Sequence, residues 1–69
     1  MTKIKILLNG DLIEIEKNFN ISQLLAKFDL DYKKIAVEMD LEIINPQDFD
    51  KIILKENSKI EIVHFIGGG

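Results

Sequence analysis

Few residues in this chain are equipped for chemistry. Cysteine is absent and His64 is the sole histidine, which rules out disulfides and thiol nucleophiles and does not furnish a dedicated protein metal cage. A lone His64 has no serine or cysteine motif to complete a triad. Asp48, Asp50 and Glu56 form a carboxylate-rich stretch, but their spacing is not that of an EF-hand, and such a run reads as a solvated face. The chain closes on Gly67-Gly68-Gly69. Glycine clusters that cradle phosphates precede a helix, whereas this one stands at the end. Three glycines lack Cβ atoms, so a narrow channel can close around their bare backbone, with a reach on the order of 10 Å at about 3.3–3.6 Å per extended residue. Composition alone favours a frayed terminus or an expression scar.

The tail needs a domain behind it. With 69 residues the chain is one domain near the lower limit for folding on a single core. Stability must come from apolar packing, which a hydrophobic content of 46% permits. Net charge is −3, and every basic residue is lysine. Without arginine, the usual fork for phosphates and guanine edges, nucleic-acid binding is not expected. No apolar stretch approaches membrane-spanning length, and Met1-Thr2-Lys3-Ile4-Lys5 does not read as a signal peptide. The expectation is a cytoplasmic protein, away from membranes and monomeric when free.

The elements follow from pattern. Ile4, Ile6 and Leu8 alternate with Lys3, Lys5 and Leu7, and Asn9-Gly10 marks a type I′ turn into a second strand, Leu12 to Glu16, with Ile13 and Ile15 inward. Asn20 and Gln23 are spaced as a capping box, and Phe19 and Leu24 as a hydrophobic staple. Ile21, Leu24, Leu25 and Phe28 predict one apolar helical stripe. A polar turn from Asp29 to Lys34 leads to a third strand, Ile35 to Met39, and Glu42-Ile43-Ile44 to a short fourth. Pro46 permits a helical turn, with Phe49, Ile52 and Ile53 pinning an irregular segment. Lys59 to His64 is the last strand.

In that strand Ile60 and Ile62 alternate with Glu61 and face the helix. Val63 and Phe65 then fall on the opposite face, which in a sheet covered by one helix meets water. Two readings stand: a contact surface for a partner, or a pair covered by the loop around Phe49.

Glu61-Ile62-Val63-His64-Phe65-Ile66-Gly67-Gly68-Gly69 resembles the carboxyl end of the ThiS family, sulfur carriers of thiamine biosynthesis. Ile4 to Gly10 resembles that family's opening strand and turn, and Ile21-Ser22-Gln23-Leu24-Leu25 its helix start. Ala36-Val37-Glu38 and Ile44-Asn45-Pro46 sit where the family has its third strand and the segment after it. Gly68-Gly69 is shared by sulfur carriers and ubiquitin-like modifiers, while the His64-Phe65-Ile66-Gly67 approach is more selective for ThiS. Asp40-Leu41 departs from the family, many members of which have a glycine-containing turn there.

The resemblance implies an α+β, ubiquitin-like β-grasp fold. Its mixed sheet of four to five strands has adjacent, parallel first and last strands, and one main helix lies across one face. Residues 1–66 form the carrier domain and 67–69 a flexible glycine tail. It further implies that a ThiF-type, E1-like adenylyltransferase uses ATP and magnesium to convert Gly69 to an acyl-adenylate. Sulfur from a persulfide donor then yields a thiocarboxylate, which serves a ThiG-type thiazole synthase. The carrier binds no cofactor and is not itself an enzyme. Gly67 and Gly68 would be gripped by the partners, and Val63, His64, Phe65 and Ile66 would form the docking surface. The alternatives are a carrier for molybdopterin or another sulfur-containing metabolite, a ubiquitin-like protein modifier joined through Gly69, and a non-covalent binding module.

Overall fold

The computed structural model describes residues 2–65. The tail and Ile66, including the expected domain boundary after Ile66, lie outside the described residues. The strands are β1 (Lys3–Leu8), β2 (Asp11–Glu16), β3 (Ile35–Met39), β4 (Glu42–Ile43) and β5 (Lys59–His64), with one helix, α1 (Ile21–Lys27). Together they make a five-stranded mixed sheet in the order β2-β1-β5-β3-β4. The first and last strands are adjacent and parallel, with Leu7 opposite Lys59 and Leu8 opposite Ile60. Every other pairing is antiparallel. Among the described residues no helix is long and apolar enough to cross a membrane.

Local chemistry sets each element. Asn9 and Gly10 both take positive φ, 49° and 86°, as a two-residue type I′ turn requires. This fixes the β1–β2 register with Leu8 opposite Asp11. Asn20 caps α1 by accepting from the Gln23 N–H at 2.7 Å, and the Asn20 N–H donates to Gln23 Oε1 at 2.8 Å. The reciprocal pair satisfies two orphan N–H groups of the first turn.

The helix ends one residue earlier than the stripe suggests. Phe28 is its C-cap and is 42% exposed. Asp29 adopts a left-handed φ of 57°, and the Leu30 N–H reaches back to the Leu25 carbonyl at 2.9 Å. This 6→1 closure reverses the chain and brings half-buried Leu30 against the core in place of Phe28.

The core lies between α1 and one sheet face. Ile6, Ile15, Val37, Ile60 and Ile62 from the sheet meet Ile21, Leu24 and Leu25 from the helix. The irregular crossover closes the rest. Asn45 caps a 3-10 turn over Pro46–Asp48, and Phe49 drops into the core. Ile53 does not pin this segment as expected. It is 45% exposed, while buried Leu54 takes that role. The reason is backbone pairing: the Ile52 carbonyl and the Leu54 N–H both bond the entry to α1, at Ile21 and Phe19, and turn Ile53 outward.

The β3–β4 hairpin forms without glycine. Asp40 and Leu41 take φ of 49° and 75° between paired Met39 and Glu42. Asp40 is held on β5, where its N–H donates to the Lys59 carbonyl at 2.8 Å and its Oδ1 accepts the Lys59 N–H at 3.0 Å.

Candidate functional site

The candidate site is the end of β5 and the sheet face around it. Strand alternation divides β5 cleanly. Ile60 and Ile62 are buried under α1, while Val63 and Phe65 are 61% and 63% exposed. The loop carrying Phe49 does not cover them, because Phe49 is buried in the core and its carbonyl accepts the Ser22 N–H of α1. His64 is in phase with Ile62 but exposed, at the rim opposite buried Ile35. Ile66, Gly67, Gly68 and Gly69, the remaining expected site residues, lie outside the described residues. The structure thus brings Val63, His64 and Phe65 together at one strand end.

The strand is anchored on both sides up to Ile62. Toward β3 it runs antiparallel from Met39 opposite Ile60 to Ile35 opposite His64, and the Phe65 N–H extends the ladder to the Lys34 carbonyl at 3.0 Å. Toward β1 the parallel ladder ends at Leu8, and Asn9 Oδ1 accepts the Ile62 N–H at 2.7 Å.

The open face has two halves of different character. On the β1–β2 side Lys3 faces Glu16 and Lys5 faces Glu14, so opposite charges sit across from one another. On the β5–β3–β4 side Glu38 faces Glu61, a like-charge pair. A shallow depression of about 340 Å³ runs beside these acids, lined in part by Ala36, Ile43 and Val63. One half pairs its charges beside exposed Leu12, while the other sets Ile43 and Val63 beside the two acids.

Sequence reasoning missed Ile43 as part of this face. Its position follows from the two-residue turn at Asp40-Leu41, which sets Ile43 opposite Glu38, out of phase with buried Val37. The signal was available in the alternation of β3, once the glycine-free turn is accepted as a hairpin.

Comparison with known proteins places this geometry in context. The family model described as "ThiS family" matches residues 6–69. The sulfur carrier protein ThiS of Bacillus subtilis is 40% identical over 63 residues, covering 90% of this chain and 96% of that protein. A thiazole synthase of Paramagnetospirillum magneticum is 33% identical over 66 residues, covering 96% of this chain. The chain spans only 20% of the length of that synthase and of a second one from Magnetococcus marinus. Among solved structures, a ThiS from Geobacter metallireducens superposes with a TM-score of 0.84 at 23% identity, covering 96% of this chain and all of that one, a likeness of fold. On the family match and the Bacillus relative, the chain belongs to the ThiS family.

Proposed function

We propose that the chain is a sulfur carrier for thiazole formation in thiamine biosynthesis, and that its reacting group is the carboxylate of Gly69. The observation that carries this reading is kinship running through residues 6–69, glycines included, together with 40% identity to a protein named as a sulfur carrier. A free carboxylate is anionic and resonance-stabilised, hence a poor electrophile. With an E1-like partner, ATP and magnesium, a carboxylate oxygen attacks the α-phosphorus of ATP and expels pyrophosphate, leaving an acyl-adenylate whose AMP is a good leaving group. The terminal sulfur of a persulfide donor displaces AMP to give an acyl disulfide. A second thiol, acting as the two-electron reductant, then attacks the donor's sulfur, forms a disulfide with it and releases the thiocarboxylate, a nucleophile ready for transfer. None of these steps asks the carrier for an acid, a base, a metal or a nucleophilic side chain. The chain serves as a co-substrate in the cytoplasm.

In the two longer relatives named thiazole synthase, a stretch similar to nearly this whole chain lies in the same polypeptide as the synthase. That juxtaposition favours thiazole synthase as the acceptor of the sulfur. Val63, His64, Phe65 and Ile66 form the docking surface, and Gly67 and Gly68 are the stretch around which each partner closes.

The test is adenylation by a ThiF-type enzyme with ATP and magnesium, read as pyrophosphate release. The full chain is expected to support it. Deleting Gly69 shortens the tail by about 3.5 Å, and near-attack geometry is intolerant of ångström-scale errors. Gly68→Val keeps the reach but adds bulk where a channel must close. Both variants are expected to lose activation strongly. Release at the parent rate from both contradicts the reading.

A further inference from the structure

The tail-bearing strand is held from the β1 side by a side chain where a backbone group would ordinarily serve. In the antiparallel β3–β5 ladder the Phe65 N–H bonds the Lys34 carbonyl. The alternation of such ladders directs the backbone groups of Val63 to β3 and those of Ile62 and His64 to the β1 side. On that side the Leu7 N–H bonds the Ser58 carbonyl at 2.9 Å and the Asn9 N–H bonds the Ile60 carbonyl at 2.8 Å. The next group along is the Ile62 N–H. Its regular partner would be a carbonyl of a continuing β1, but the chain leaves the sheet there through the Asn9-Gly10 turn. Asn9 Oδ1 takes the N–H instead, at 2.7 Å. Ile62 is only 8% exposed, so water is a poor substitute and an unmade bond is costly. Past Ile62, among the described residues, the β1 ladder goes no further and β5 is paired with β3 alone.

We propose that Asn9 is a positioning residue for tail activation: its side-chain amide locks the end of β5 and so fixes the point from which Val63, Phe65 and the glycines are presented to the activating enzyme. This deepens the carrier reading and rests on it for the consequence, though not for the lock. The residue type suits both duties. Asparagine tolerates the left-handed φ of 49° and carries an acceptor on a short stem. Glycine would make the turn but leave Ile62 without a partner, whereas aspartate would keep both.

The experiment therefore compares N9G and N9D with the parent, all as full chains. N9G leaves a turn that glycine favours and removes only the acceptor. Hydrogen exchange of backbone amides by NMR is expected to show the Ile62 amide of N9G exchanging about tenfold faster, as follows from an unmade bond costing about 1.4 kcal/mol, while amides of Ile6 and Leu24 speed up by no more than that factor. N9D is expected to retain protection. With the activating enzyme, ATP and magnesium, kcat/KM for pyrophosphate release is expected to fall about tenfold for N9G and to stay within about twofold for N9D. Unchanged Ile62 exchange in N9G overturns the lock. A rise at Ile6 and Leu24 larger than that at Ile62 overturns it too, since Asn9 would then be a general stability residue. Faster Ile62 exchange with parental pyrophosphate release overturns the positioning role and leaves the carrier reading intact. If the parent itself releases no pyrophosphate, the carrier reading fails, and exchange alone then decides whether Asn9 locks the strand.

Discussion

Val63 and Phe65 are large apolar side chains left in water beside the like-charged pair Glu38 and Glu61. An apolar patch at a strand end suits a contact that forms and releases. Phe65→Asp places a charge in that patch without touching the core, since Phe65 is 63% exposed. The far-ultraviolet circular dichroism and melting temperature should match the parent, while pyrophosphate release and sulfur delivery both slow by at least about tenfold, the equivalent of about 1.4 kcal/mol of lost interaction. Rates equal to the parent would show that the patch is no interface. At this scale the candidate site was partly legible. Alternation along β5 separates Ile60 and Ile62 from Val63 and Phe65 without a structure. The Asn9 side chain bond to Ile62 was not legible, because it joins residues far apart in sequence and depends on where β1 stops.

At the scale of the element, turns and caps explain both the legible and the illegible. The Asn9-Gly10 hairpin and the Asn20–Gln23 box are local codes, and the structure reproduces them. Phe28 and Ile53 were misplaced for a different reason. The helix is closed by Asp29 in a left-handed conformation, with no glycine to announce it. Ile53 sits on a segment whose facing is set by bonds to Phe19 and Ile21 rather than by its own periodicity. The Asp40-Leu41 turn carries the most evident local strain, with Leu41 at φ 75° and 78% exposed. Leu41→Gly removes that strain, loses little packing and restores an Asp-Gly pair. Unfolding in urea should show a gain of up to about 1 kcal/mol, the left-handed penalty less the added freedom of glycine in the unfolded chain. A loss of stability would mean that Leu41 makes a contact its exposure conceals. Leu25 lies at the other extreme, 3% exposed in the helix–sheet core. Leu25→Ala should cost about 2–5 kcal/mol in the same measurement, a large part of what holds so small a domain together.

Across the whole molecule, the core and the chemistry are kept apart. Every residue of the buried cluster lies between Ile6 and Ile62, and the reacting carboxylate proposed here stands at Gly69, beyond it. The sheet works as a handle: α1 covers one face, the other is left open, and the central strand β5 leads from the core to the tail. In the proposed role such a division asks the carrier only to fold and to be recognised, with activation left to the partner. Deleting Gly69 should therefore leave the melting temperature within about 1 °C of the parent, because the described core contacts remain, and a marked drop would place the tail in the fold. The most direct measurement is the intact mass of the chain isolated from cells that hold the native sulfur machinery. A fraction with one oxygen replaced by sulfur, mapped by fragmentation to the carboxyl group of Gly69, is the expected result. A chain found only as the free acid, or joined through Gly69 to lysines of other proteins, would contradict the role of sulfur carrier.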